Sequence, residues 1–68
     1  MKTQTYLIRH VDEECPCTHC GCPLLVGNRV HLIADGQGTD DRPHCSAHCC
    51  RLTRVRDEQL YAIRTATH

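Results

Sequence analysis

The chain has 68 residues, eight basic against eight acidic side chains, no Phe, no Trp and seven Cys. One domain at most fits in that length, and its thirteen Leu, Ile and Val residues fall near the level below which apolar burial no longer holds a chain. No run approaches the ~18 apolar residues of a membrane span, the balanced charge argues against a nucleic-acid binder working by basic excess, and disulfides or metal are left to hold the fold.

Residues 1–14 carry a single Lys and an apolar run of two, Leu7-Ile8, ahead of Arg9. That is not the make-up of a secretory leader, so a reducing, cytoplasmic setting without membrane attachment is expected. Clustered cysteines in such a setting bind metal or do redox work more often than they form bridges. The odd count agrees, since seven thiols cannot all pair within one chain. Tyr6-Leu7-Ile8 is expected to be an edge strand against a metal core, or part of a disordered arm. Asp12-Glu13-Glu14 reads as a solvated linker.

The first cysteine cluster is Cys15, Cys17, Cys20 and Cys22. Within it, Cys17-Thr18-His19-Cys20-Gly21 has the form of a zinc knuckle: two thiolates converge from a tight turn, and the glycine supplies a positive φ beside the metal. A thioredoxin-like dithiol is the rival reading of C-x-x-C, but no βαβ pattern precedes it. Residues 24–33 carry β-favouring residues, Leu24-Leu25-Val26 and Val30-His31-Leu32-Ile33, on either side of Gly27-Asn28, and predict a short hairpin. His31 is expected at the surface. Residues 34–43, rich in Gly and Asp, predict the most mobile loop of the chain.

The second cluster is Cys45, Cys49 and Cys50, with His44 and His48 alongside. Cys45 and Cys49 are one helical turn apart, so their sulfurs face the same way. Cys45 would stand at a helix N-terminus, which favours thiolate. Two close-spaced pairs joined by a loop form the usual frame of a tetrahedral zinc site. The pattern predicts a metal held by Cys20, Cys45 and Cys49 with Cys17 or Cys15. The surplus thiols, with His44, His48 and Cys50 as candidates, would build a second site or stay spare. One to three Zn²⁺ are expected, with Cd²⁺ or Cu⁺ as substitutes. Cys49 and Cys50 lie about 100° apart on a helix, so Cys50 is either a ligand of that second site or a small buried hydrophobe.

From Ser46 the pattern is helical, with a stripe of Cys49, Leu52, Val55, Leu60, Ala62 and Ile63 that Arg56 and Gln59 interrupt. Either the helix breaks near Arg56, with Asp57 capping a second one, or a single helix runs on and packs on little. Arg51, Arg54 and Arg56 read as a solvated face that offsets thiolate charge rather than a phosphate-binding one. The organisation expected is an arm over 1–14, a metal-binding domain over 15–56 and a helical extension over 57–68. The fold class is a small metal-stabilised α+β domain made of a knuckle, a hairpin and a helix.

The run Cys15-Pro16-Cys17-Thr18-His19-Cys20-Gly21-Cys22, followed by Cys45-Ser46-Ala47-His48-Cys49, resembles the bacterial metallothioneins. The resemblance covers residues 15–50 and implies a treble-clef-like finger that sequesters and buffers zinc, and also takes cadmium or copper. It places the ligands of the finger-like site on Cys15, Cys20, Cys45 and Cys49. The family's further ligands beyond the helix have no counterpart here except His68, and the spacer between clusters is longer, so fewer ions than a full cluster are implied. Catalysis is not expected, because all-thiolate centres are typically closed. Metal buffering by a monomer is the leading expectation. A structural single-zinc module that binds protein or nucleic acid is the alternative, although the sequence supports no particular macromolecular partner.

Overall fold

The computed structural model describes residues 2–36 and 38–66, with side chains through residue 63. In chain order these form strand β1 (Thr3–Leu7), a 3₁₀ turn (Val11–Glu13), β2 (Cys15–Pro16), β3 (Pro23–Leu24), β4 (Arg29–Ile33) and one helix, α1 (Ala47–Ala66). The architecture is a small α+β domain: two two-stranded antiparallel sheets, β1–β4 and β2–β3, and the helix.

The first segment is a strand and not a loose arm. β1 pairs with β4 in the register Thr3↔Ile33 to Leu7↔Arg29. The ladder continues past both ends, from Ile8 N–H to the Asn28 carbonyl (3.0 Å) and from Ala34 N–H to the Lys2 carbonyl (2.9 Å). The acidic run after it also acts on the backbone. Glu13 accepts from the N–H groups of Arg9 and His10, and Glu14 from Val26 N–H at 2.9 Å.

The expected hairpin over 24–33 does not form, because its two arms belong to different sheets: β3 pairs with β2 and β4 with β1. The turn itself is present. Asn28 N–H bonds the Leu25 carbonyl at 2.9 Å, and Gly27 at the third position has φ +92°, as a type II turn requires. Gly27 N–H then reaches the Ile8 carbonyl (2.9 Å). The turn is thus tied to β1 and swings the chain out of one sheet into the other.

The apolar core is small. Ile8, Leu24 and Val30 form its centre, with Cys15, Leu32 and Cys45 packed against them. Each such aliphatic side chain is worth about 1.5–3 kcal/mol when fully buried, a modest sum for a chain of this length. β4 lies between β1 on one edge and the chain at His44 on the other, where His31 and His44 exchange backbone hydrogen bonds of 2.8 and 3.0 Å. His31 is accordingly half-buried and not a surface residue.

α1 starts because Ser46 caps it. The Ser46 hydroxyl accepts from Cys49 N–H at 3.2 Å, and its carbonyl accepts the first helical bond from Cys50, the usual N-cap arrangement. The helix passes Arg56 without a break. Asp57 is not a cap: it pairs with Arg42 at 2.7 Å, and Arg42 also forks onto Asp40. Arg54 pairs with Asp35 and Glu58. These contacts tie the loop over 34–43 to the helix. Of the expected stripe only the near end is covered, so the single helix runs on and packs on little. Cys49, Cys50 and Thr53 are buried, whereas Val55, Leu60 and Ile63 are 45–60% exposed.

Candidate metal centre

Two backbone clamps bring the cysteine clusters together. Thr18 N–H bonds the Pro43 carbonyl at 2.8 Å, and the His31–His44 bridge fixes the next residue along. Cys45 therefore emerges directly opposite the knuckle. The knuckle is closed by Cys17 N–H to the Cys22 carbonyl (2.8 Å), which extends the β2–β3 ladder, and by Gly21 N–H to the Cys17 carbonyl (2.9 Å). Gly21 has φ +76° with open space around it, so the turn demands glycine for its backbone conformation and not for room.

The sulfurs of Cys17, Cys20, Cys45 and Cys49 all lie within 4.8 Å of one another, and among the described residues no other group of three or more Cys, His, Asp or Glu converges in this way. Cys45 Sγ is 3.6 Å from Cys20 Sγ and 3.5 Å from Cys49 Sγ. A zinc–thiolate bond of about 2.3 Å in a tetrahedron sets neighbouring sulfurs at about 3.8 Å. The quartet is thus spaced as a four-thiolate ion would hold it.

The electrostatics of the Cys17 and Cys45 thiols differ. Burial pushes the Cys17 thiol up, but the N–H groups of Cys20, Cys45 and His19 aimed at its sulfur outweigh that and bring it down to about 6. The Cys45 N–H lies 3.4 Å from Cys17 Sγ. Cys45 goes the other way. Hydrogen bonding with Cys49, burial, and then the sulfurs of Cys20 and Cys17 push it up to about 12. A cation among the sulfurs would favour their thiolate forms. The donor set suits zinc or a similar soft-tolerant ion.

The other sequence candidates lie elsewhere. Cys15 is half-buried in β2, packed on the apolar core, so the quartet takes the knuckle's Cys17. Cys22 and His48 are exposed. Cys50 is fully buried on the next helical position, its thiol pushed up by burial and then by the charges of Cys17 and Cys49. His44 is fully buried, with Nε2 2.8 Å from the Thr53 hydroxyl and Nδ1 without a hydrogen-bond partner. The structure therefore does not gather His44, His48 and Cys50 into a second site. His68 lies outside the described residues. The His44–Thr53 pair was not legible in the sequence, because no local spacing links residues nine apart through a strand end and a helix.

A concavity of about 540 Å³ lies between the loop and the helix. Its arginines, Arg42 and Arg54, are taken up by Asp40, Asp57, Asp35 and Glu58. No described helix is long and apolar enough to cross a membrane. The chain matches no protein-family model, no curated protein and no solved structure.

Proposed function

We propose that this chain is a zinc-binding module in which Cys17, Cys20, Cys45 and Cys49 hold one ion, and that the ion's first role is to build the fold. The observation that carries this reading is the convergence of those four sulfurs from two cysteine pairs far apart in the chain, beside a small apolar core. Four thiolates complete a tetrahedral shell and leave no position for a substrate, so the module is not an enzyme. A reducing compartment, where the thiols stay available, goes with it.

Metal buffering is the second reading, and two features favour it. One is the resemblance of residues 15–50 to bacterial metallothioneins, which would extend the cargo to Cd²⁺ or Cu⁺. The other is the exposure of Cys20 at the rim of the site. Against it, two of the three surplus thiols, Cys15 and Cys50, serve as small apolar groups in the interior.

Native mass spectrometry and cobalt substitution test both readings. One Zn²⁺ per chain is expected. Co²⁺ should give the absorption of a tetrahedral tetrathiolate, retained in Cys15→Ser and lost or reshaped in Cys17→Ser. Two or more tightly held ions would replace the module with a storage cluster, and a chain that binds none at neutral pH would end both readings.

A further inference from the structure

Resting on the zinc reading but not on which role the ion plays, the structure assigns the four ligands unequal parts: we propose that Cys20 is the exchangeable ligand, through which a thiolate from solution takes the ion. Three observations carry it. Cys17 and Cys49 are buried, Cys45 is half-buried and packed on the core, and Cys20 alone of the four is exposed. The neighbouring thiols differ in what they anchor. Cys17 heads the β2–β3 ladder through its N–H bond to Cys22 and accepts Cys45 N–H at its sulfur. Cys45 follows the His31–His44 bridge, and Cys49 lies inside the capped first turn of α1. Cys20 sits within a turn that other bonds already close, Gly21 N–H to the Cys17 carbonyl and Cys17 N–H to the Cys22 carbonyl. Its side chain can leave while sheet, helix and clamps stay in place.

The surroundings of Cys20 point outward too. Thr18, His19, Gly21 and Cys22 are all exposed, so an incoming group meets no wall on that side. The step is a ligand exchange with no change of oxidation state. A thiolate from solution forms a new metal–sulfur bond, the bond to Cys20 Sγ breaks, and the released Cys20 thiolate takes a proton from water. Repetition at the remaining, now less constrained ligands passes the ion on. The other three cysteines meanwhile keep the two halves of the chain joined.

The test uses the full chain carrying one Zn²⁺, with limiting N-ethylmaleimide and mass mapping of the modified cysteines. Cys22, exposed and outside the quartet, should react early. Among the four ligands Cys20 should react first, before Cys17 and Cys49. Labelling of Cys17 or Cys49 ahead of Cys20, or of all four at once, would overturn the proposal. A second measurement follows zinc transfer to a chromophoric chelator with glutathione as the thiol. Cys20→Ser, which removes the ligand that must be displaced, should speed transfer by roughly tenfold, with Cys22→Ser unchanged. An unchanged rate in Cys20→Ser would overturn it. Should Cys20→Ser fail to hold zinc, the labelling order of the unaltered chain still decides. Failure of the zinc reading itself would look different: the starting chain would carry no ion in native mass spectrometry.

Discussion

The two ends of α1 are held by different means. Its first two turns carry Cys49, Cys50 and Thr53, all buried, and begin at a side-chain cap beside the sulfur quartet. Its later turns carry Val55, Leu60 and Ile63, as apolar as any residues in the chain, and leave them exposed. An apolar stripe would ordinarily decide which face of a helix turns inward. Here the stripe is covered only at the cysteine end. Leu60 and Ile63 lie within about 40° of Cys49 around the axis, so they share its face, and they are exposed because the described residues do not cover that face so far along the helix.

The strongest way to break this contrast is to remove what holds the near end. Chelation of the metal at neutral pH, or Cys49→Ser, is expected to abolish the cooperative thermal transition and most of the helical circular dichroism. Structural zinc supplies about 10–16 kcal/mol of apparent binding free energy in small domains, and the apolar core is too small to replace it. A chelator-treated chain with an unchanged spectrum and melting temperature would show that the near end is held by packing after all.

Next in size is Thr53→Val. It keeps the shape but strands the buried Nε2 of His44, whose Nδ1 already lacks a partner. Leaving a buried polar group unpaired costs about 1–3 kcal/mol, and for a domain of this size each kcal/mol moves the midpoint by about 4–8 °C. Thermal melts of the zinc-loaded variant measure it. A midpoint within a degree of the parent would mean that the pair carries no weight.

The Arg42 fork joins the loop to the middle of the helix and should matter less. Hydrogen bonds from Arg42 hold the carboxyls of Asp40 and Asp57 below their ordinary range. A lowered carboxyl contributes stability above its unfolded value and loses it as pH falls through the folded one. The difference in stability between the parent and Arg42→Gln should therefore be constant near neutrality and shrink below about pH 4, the ordinary carboxylate range. Both partners are substantially exposed, so the difference itself should be small. Urea titrations at several pH values check the sign, and a difference that grows on acidification contradicts it.

The smallest effect belongs to the far end. Leu60→Ala is expected to change stability by less than about 0.5 kcal/mol, as surface substitutions do. A larger loss in the same melts would show that Leu60 is covered in solution.

Legibility from sequence followed the same divide between local and distant contacts. The knuckle, the pairing of Cys45 with Cys49 and the helix start at Ser46 depend on residues within four positions, and spacing exposes them. The turn at Gly27-Asn28 was legible for the same reason. Which strands flank it as partners was not: β-favouring residues announce a strand, but pairing is settled by what else the chain brings alongside. Here β1 claims Arg29–Ile33, and the knuckle draws Pro23–Leu24 back to Cys15–Pro16. Cys15 and Cys17 could not be separated by counting. Cys15 lies in β2 and packs on the apolar cluster, whereas Cys17 lies past the strand's end, in the knuckle turn, and joins the quartet. Of the two readings of the helix, the single one that runs on and packs on little is the one found, and periodicity could not choose between them because it gives a face and not how far along the helix that face is covered.

The knuckle and the Cys45–Cys49 turn are each short-range, while 25 positions separate Cys20 from Cys45. Bringing distant points of a chain together carries an entropy cost that grows only with the logarithm of the intervening length, and doubling that length adds about 0.6 kcal/mol. Against the binding energy of one ion, the length of the connection between the two cysteine groups is almost a free variable. Natural variation should therefore lengthen or shorten the Gly- and Asp-rich stretch freely, while the three-residue and four-residue steps inside the groups stay fixed. Relatives of this chain should keep those two short steps and the strands between them, and differ in the length of that stretch.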